Sequence, residues 1–149
     1  LFNFPKAKMF LGDSGSYLFG SLIALNTIIT NNLNTHISSF FFCILLFYLF
    51  FEVFFSFIRK IYQKKSPVLP DNEHLHMLSF IKVSQIFEAN KANYINSIVI
   101  NFIFFVLVFP SLYFSDNSTI CKYWFFALVL IYTLTYIRLY HLTKKKIDI

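Results

Sequence analysis

Residues 37–58 read ISSFFFCILLFYLFFEVFFSFI, a mostly apolar stretch with one charged residue, Glu52. A helix needs about 20 predominantly apolar residues to cross the hydrocarbon core of a bilayer. The stretch has that length and that composition, and it therefore predicts a membrane-spanning helix. A carboxylate inside such a helix has two interpretations, which remain open here: a functional group, or a group paired with a neighbouring helix.

The composition of the whole chain also indicates a membrane protein. Of its 149 residues, 57% are hydrophobic and only 13% are charged, whereas soluble domains carry roughly 25% charged residues. Three further apolar segments predict additional spans, and we expect an all-α, polytopic integral membrane protein. The predicted spans are residues 10–29, 37–58, 94–114 and 124–140, and a polar loop occupies residues 59–93.

The basic residues predict the orientation of these spans. The formal net charge of +6 could suggest nucleic-acid binding, but the cations flank apolar spans, so we expect a membrane partner and no nucleic acid. Positive residues mark the cytoplasmic side, which predicts that the start of the segment, the loop 59–93 and the C-terminus are cytoplasmic. The residues that carry this prediction are Lys6, Lys8, Arg59, Lys60, Lys64, Lys65, Arg138, Lys144, Lys145 and Lys146.

A carboxylate, Asp13, lies among small residues at the start of the first apolar run, in the sequence MFLGDSGS of residues 9–16. The two glycines let the backbone turn tightly and approach a ligand closely. The hydroxyls of Ser14 and Ser16 could cap the following helix and leave its N–H groups facing an anion. A carboxylate at such a helix end suits a divalent cation that bridges to phosphate.

A second polar group of residues lies in the middle loop, where residues 65–78 read KSPVLPDNEHLHML. Its two prolines predict an extended, rigid entry, and Asp71 is expected to cap a short helix that starts near Asn72. His74 and His76 suit a phosphate-binding or acid–base pair. Two other interpretations remain open, namely zinc ligation together with Asp71 and a solvated loop without a function.

Taken together, the two motifs resemble the polyprenyl-phosphate N-acetylhexosamine-1-phosphate transferases of glycosyl transferase family 4. Residues 3–20, NFPKAKMFLGDSGSYLFG, are close to the family pattern N-x-P-x-A-K-x-F-x-G-D-x-G-S-x-x-x-G. Ser66-Pro67, Pro70-Asp71 and His74-Leu75-His76 resemble its histidine motif. The resemblance implies that residues 1–149 are the C-terminal part of a single membrane transferase domain.

This resemblance implies a reaction and a set of site residues. The family transfers a sugar 1-phosphate from a UDP-sugar to undecaprenyl or another polyprenyl phosphate and releases UMP, which starts lipid-linked glycans such as O-antigen lipopolysaccharide and cell-wall polymers. The implied cofactor is Mg²⁺, with Mn²⁺ as an alternative. The implied catalytic and metal-binding residue is Asp13. The implied substrate-binding residues are His74, His76, Asn3 and Lys8. Glu52 and Asp71 are expected to contact these side chains rather than the substrate.

The resemblance further implies the bacterial inner membrane as the location, with a cytoplasmic active face, and allows a homodimer. The family's paired upstream aspartates have no counterpart in this sequence, so we expect this segment to be inactive alone. Two alternatives remain beside the transferase. One is a transporter that uses Asp13 and Glu52 as intramembrane ionisable groups, and the other is a non-catalytic, truncated membrane fragment.

Overall fold

The computed structural model describes residues 11–147, and over that range it contains helices and turns but no strand. The prediction of an all-α protein is confirmed. Short loops and one 3₁₀ helix, Phe109–Phe114, join the α-helices. These are α1 Gly12–Leu33, α2 Ser39–Leu45, α3 Phe47–Tyr62, α4 Leu75–Val83, α5 Ala89–Val108 and α6 Ser118–Ile147.

Two of the described helical segments are long and apolar enough to cross a membrane, Ala89–Phe114 and Ser118–Lys144. A third is obtained if α2 and α3 count as one bent span. The predicted number of four spans is therefore not confirmed. The segment predicted at 10–29 corresponds to α1, which is 22 residues long but contains Asp13 and several asparagines and serines.

The predicted span 37–58 is not one straight helix. Its two parts, α2 and α3, meet at Leu46 with a bend of 76°, although neither proline nor glycine lies near the break. The residues on either side of the break, Ile44 and Phe47, are fully buried. The bend therefore lies between two residues that pack against the rest of the protein.

An aromatic cluster joins α3 to α6. Phe47 and Phe51 stack with ring centroids 4.8 Å apart, and the edge of Tyr132 meets Phe51 at 5.0 Å. Phe55 meets both Tyr132 and Tyr136 at 5.2 and 4.7 Å. Edge-to-face aromatic pairs at these distances add about 1 kcal/mol each beyond the area they bury, so this cluster fixes the position of α3 along α6.

The connections alternate between the two ends of the helices. The N–H of Ser38, just before α2, donates to the carbonyl of Ser115, just before α6, at 2.8 Å. Between α3 and α5 the chain forms the middle loop and α4, whose Leu75 and Leu78 are buried. The middle loop is the part of the fold that carries the predicted histidines.

Candidate active site

The end of α3 turns the chain back toward its own helix. Lys64 has a φ of 56°, its N–H donates to the carbonyl of Ile61 at 3.0 Å, and the N–H of Lys65 donates to that of Lys60 at 2.9 Å. These two bonds and the left-handed residue form a Schellman motif, which terminates a helix and satisfies its last carbonyls. We call residues 63–76, which begin in this turn and end in the first residues of α4, the histidine loop.

Arg59 is the main contact between α3 and the histidine loop. Its guanidinium donates to the carboxylates of Asp71, at 2.8 Å, and Glu73. It also donates to the hydroxyl of Ser56 at 3.1 Å, and its side chain is 8% exposed. Because a planar guanidinium can donate to several oxygens at once, one buried arginine holds two carboxylates of the loop.

Lys60 holds the proline-containing part of the same loop. Its Nζ donates to the carbonyl of Leu69 at 2.6 Å and to that of Pro67 at 3.4 Å, and it lies 3.6 Å from Asp71. Proline fixes the backbone φ and carries no N–H, so the extended entry offers carbonyl groups with few backbone donors. The buried ammonium of Lys60 supplies the missing donors.

Glu52 connects three elements through a buried carboxylate. Its Oε1 lies 3.0 Å from Nδ1 of His74 and accepts the N–H of Leu75, also at 3.0 Å. Its Oε2 accepts the hydroxyl of Tyr132 at 2.5 Å. Of the two interpretations of this carboxylate, pairing with a neighbouring helix is what the structure describes, since Tyr132 belongs to α6. Both oxygens are occupied, which leaves the transporter alternative without a free carboxylate at this position.

The two histidine rings lie face to face at the start of α4. Their centroids are 5.6 Å apart and their planes are inclined by 16°. His74 is extended, with φ −70° and ψ 151°, and it directly precedes the helix. The carbonyl of His76 accepts the side-chain N–H of Asn96 at 3.0 Å. The backbone is thus held from α5 and α3, while the ring of His76 is exposed.

The surroundings of the loop lower the pKa values of its two carboxylates and also the pKa of its second histidine. Burial would raise the pKa of Asp71, but the hydrogen bonds from Arg59 and from the Glu73 N–H outweigh it and lower this pKa. Burial likewise opposes the effect of Gln63, Lys65 and Arg59, which together lower the pKa of Glu73. Desolvation lowers the pKa of His76, and repulsion from His74 adds to that effect. At neutral pH the loop therefore holds two carboxylates and an uncharged His76.

Asp13 lies in the first turn of α1, and its side chain is exposed. Within residues 11–147 the structure gives it no ion pair and does not bring it into contact with the histidine loop. The other two predicted substrate-binding residues, Asn3 and Lys8, lie outside the described residues. Among the residues described, no group of three or more His, Cys, Asp or Glu side chains could hold a metal ion. The zinc alternative for His74, His76 and Asp71 thus gains no support.

The predicted role of Asp71 as a helix cap is wrong. The helix α4 begins at Leu75, and its N-cap, His74, makes no capping bond with its side chain. Asp71 instead accepts the N–H of Glu73 at 3.2 Å and binds Arg59. The reason is the position of the helix start, because the N-cap of α4 is His74 and Asp71 lies three residues before it.

Several residues of this network were not predicted as site residues, among them Arg59, Tyr132 and Tyr136. The hydroxyl of Tyr136 donates to the carbonyl of Glu73 at 3.0 Å, one turn of α6 after Tyr132. The spacing of Glu52, Ser56 and Arg59 carries a usable signal, since residues four and seven apart share a helix face. The tyrosines have no such signal, because nine tyrosines and 22 phenylalanines are spread along the chain.

The chain is similar in sequence to known proteins, and one of these similarities lies in its first 31 residues. Residues 1–31 match the model of glycosyl transferase family 4. The resemblance to glycosyl transferase family 4 is confirmed. A similar curated protein is the undecaprenyl-phosphate alpha-N-acetylglucosaminyl 1-phosphate transferase of Thermotoga maritima, with 34% identity over 83 residues. That alignment covers 56% of this chain and 27% of the relative, so the chain spans about a quarter of the relative's length. No solved structure matches this chain.

The match to glycosyl transferase family 4 includes Asp13 and ends before the break at Leu46. The histidine loop lies outside this match, and a role of the loop is supported by its own geometry. Two buried cations and one buried carboxylate hold the loop, which is more than a solvated connection between helices needs. The loop is therefore a preformed surface that presents His74 and His76 side by side.

Proposed function

We propose that the protein containing this chain transfers N-acetylhexosamine 1-phosphate from a UDP-sugar to a polyprenyl phosphate and releases UMP. The observation that carries the proposal is the family match over residues 1–31, which contains the Gly-Asp motif. The printed name of the Thermotoga maritima relative describes a reaction of the same class. The candidate membrane spans suit an enzyme whose acceptor is a lipid.

The bond changes of this reaction define what the site must do. An oxygen of the polyprenyl phosphate forms a bond to the sugar-bearing phosphorus of the donor. The bond from that phosphorus to the bridging oxygen breaks, and UMP leaves with that oxygen. Because little covalent work is left to the protein, positioning and neutralisation of charge account for most of the catalysis.

Asp13 fits one ligand position of the implied Mg²⁺. Its carboxylate is exposed at the start of α1 and has no ion pair within residues 11–147, and Mg²⁺ is commonly held by one or two carboxylates together with substrate phosphates. When bound, Mg²⁺ would neutralise the charge that develops on the diphosphate oxygens. The remaining ligands would come from the donor, from water and from parts of the protein outside the described residues.

His74 and His76 would bind the donor, with Asn3 and Lys8 in the same pocket. The stacked rings present two imidazole edges on one side of the loop, at a distance suited to neighbouring groups of a sugar diphosphate. The loop would face the cytoplasm of a bacterium, as the basic residues around it predict. A water-soluble nucleotide could then meet a lipid phosphate at the edge of the membrane.

The decisive experiment uses the full-length protein purified in detergent. With UDP-N-acetylglucosamine, undecaprenyl phosphate and Mg²⁺, we expect UMP release that requires both the lipid and the metal. We expect Asp13→Asn to lower turnover roughly 100-fold or more, because a lost metal contact costs several kcal/mol in the transition state.

Asp116→Asn is the matched control, because Asp116 lies between the 3₁₀ helix and α6, near Ser115 and away from the histidine loop. This variant should retain the wild-type rate. Wild-type protein that releases no UMP from any N-acetylated UDP-hexosamine would contradict the proposed reaction. Equal turnover in Asp13→Asn and wild type would contradict the role of Asp13.

A further inference from the structure

The carboxylate of Glu52 is the most highly connected acidic group of the described residues that lies within an apolar helix. It is 8% exposed and has three neighbours that come from the loop and from α6. One of them, the backbone N–H of Leu75, can only donate and lies 3.0 Å from Oε1, and the hydroxyl of Tyr132 donates to Oε2 at 2.5 Å. The third neighbour is Nδ1 of His74, 3.0 Å from Oε1.

An ionised carboxylate accepts hydrogen bonds and donates none. A proton on Nδ1 of His74 therefore turns the contact with Oε1 into a charge-assisted hydrogen bond. A lone pair on Nδ1 would instead face the lone pairs of Oε1 at 3.0 Å in a buried place, which is repulsive. The geometry thus selects one proton position on this ring.

The other ring nitrogen of His74, Nε2, faces a second carboxylate, that of Asp71. This nitrogen lies 3.6 Å from Oδ1 of Asp71, which is too long for a hydrogen bond. The ring also stacks on His76 at 5.6 Å, so its plane is fixed on a second side. The ring of His74 is consequently held between Glu52, Asp71 and His76, and its side chain is 28% exposed.

We propose that Glu52 is the positioning residue of His74: by accepting the Nδ1 proton, it fixes the ring and presents Nε2 to the UDP-sugar. This proposal rests on the proposed function for the identity of the ligand, but its structural part does not. Tyr132 and the N–H of Leu75 hold the carboxylate so that it cannot rotate away. Glu52 acts through His74 and does not itself contact the substrate.

The first test is nitrogen-15 NMR of the full-length protein labelled at histidine, with the His74 signal assigned by its loss in His74→Gln. We expect Nδ1 of His74 to carry a proton at neutral pH. An unprotonated Nδ1 in the wild-type protein would overturn the proposal, whether or not the protein has transferase activity. This measurement needs no variant of Glu52 and therefore cannot be confounded by misfolding.

The second test compares two substitutions of Glu52. Glu52→Met removes the acceptor at similar volume, and we expect a mixture of proton positions on His74. We also expect kcat/KM for UDP-N-acetylglucosamine to fall about 10- to 100-fold, by analogy with the loss of a hydrogen-bond partner that orients a metal-binding histidine. Glu52→Gln keeps an acceptor oxygen, so the Nδ1 proton and most of the activity should return.

Ser56→Ala is the matched control, since Ser56 is buried one turn along α3 and contacts Arg59 rather than His74. It should leave the proton position unchanged. If Glu52→Met retains a single Nδ1 proton and full kcat/KM, Glu52 does not position His74. Wild-type protein with the expected proton position but no UMP release would leave this positioning intact and contradict the proposed function instead.

Discussion

The guanidinium of Arg59 and the carboxylate of Asp71 meet at 2.8 Å across twelve residues of chain. The contact closes the histidine loop onto the helix from which it emerges, and it is largely shielded from water, with side-chain exposures of 8% and 14%. Removing one partner of a buried ion pair leaves the other charge without compensation. The stability of the loop therefore depends strongly on Arg59.

We expect Arg59→Gln to lower the free energy of unfolding by about 3 kcal/mol and to loosen the histidine loop before the rest of the protein. Thermal unfolding in detergent measures the first effect, and the rate of tryptic cleavage after Lys64 and Lys65 measures the second. Arg138→Gln is the control, because Arg138 is exposed and has no ion pair among the described residues. Equal cleavage rates in Arg59→Gln and wild type would contradict this account.

Because of the two loop carboxylates, we expect the free energy of unfolding to fall at low pH. The pKa values of Asp71 and Glu73 are lowered in the folded protein from ordinary values of 3.8 and 4.5. Their contribution to stability is therefore fully present above those ordinary values and is lost as the pH falls through the lowered ones. Unfolding followed between pH 6 and pH 3 should show this loss, and Asp71→Asn should reduce it. An unchanged acid response in Asp71→Asn would mean that Asp71 is not the group that titrates.

The left-handed residue at the end of α3 offers a stabilising substitution. Lys64 adopts a φ of 56°, which costs a residue with a β-carbon about 1 kcal/mol relative to glycine. We expect Lys64→Gly to raise the free energy of unfolding by about 0.5 to 1 kcal/mol, since the strain outweighs glycine's larger entropy in the unfolded chain. Lys64→Ala retains the β-carbon and should give no gain. A gain of the same size in both variants would point to the lost charge as the cause.

His76 provides a test of the electrostatics around the two rings. Its pKa is lowered from the ordinary 6.5, chiefly by desolvation and also by His74, while the negative charge of Glu52 opposes the shift. Because the folded protein binds this proton less readily than the unfolded chain does, stability falls as the pH drops from 6.5 through the lowered pKa. A titration of the His76 NMR signal should show a midpoint below 6.5, and in Glu52→Gln the midpoint should fall further. A midpoint that rises in Glu52→Gln would contradict the assigned sign.

Local patterns in the sequence predict the helical class, the apolar segments and the two polar motifs, because apolar length and turn-forming residues determine them. The break at Leu46 has no such pattern, since it depends on how Ile44 and Phe47 pack against distant parts of the chain. The contacts of Asp71 likewise could not be predicted from neighbouring residues. Its sequence context favours a helix cap, but the helix begins at Leu75 and the carboxylate binds a buried arginine twelve residues away. Glu52 pairs with Tyr132, eighty residues later, and no local pattern in the sequence predicts that partner.

The length of α6 sets the depth at which the histidine loop is held. A helix of 30 residues is about 45 Å long, whereas the hydrocarbon core of a bilayer is about 30 Å thick. The helix therefore extends beyond the hydrocarbon, and Arg138 near its C-terminal end suits the headgroup layer. Tyr132 precedes Arg138 by six residues, or about 9 Å of helix, so Tyr132 and the Glu52 carboxylate that it binds lie closer to the middle of α6 than that charge does. Under the proposed function, a nucleotide donor that binds His74 would have to leave bulk water and enter the headgroup layer, where the phosphate of a prenyl carrier would also lie.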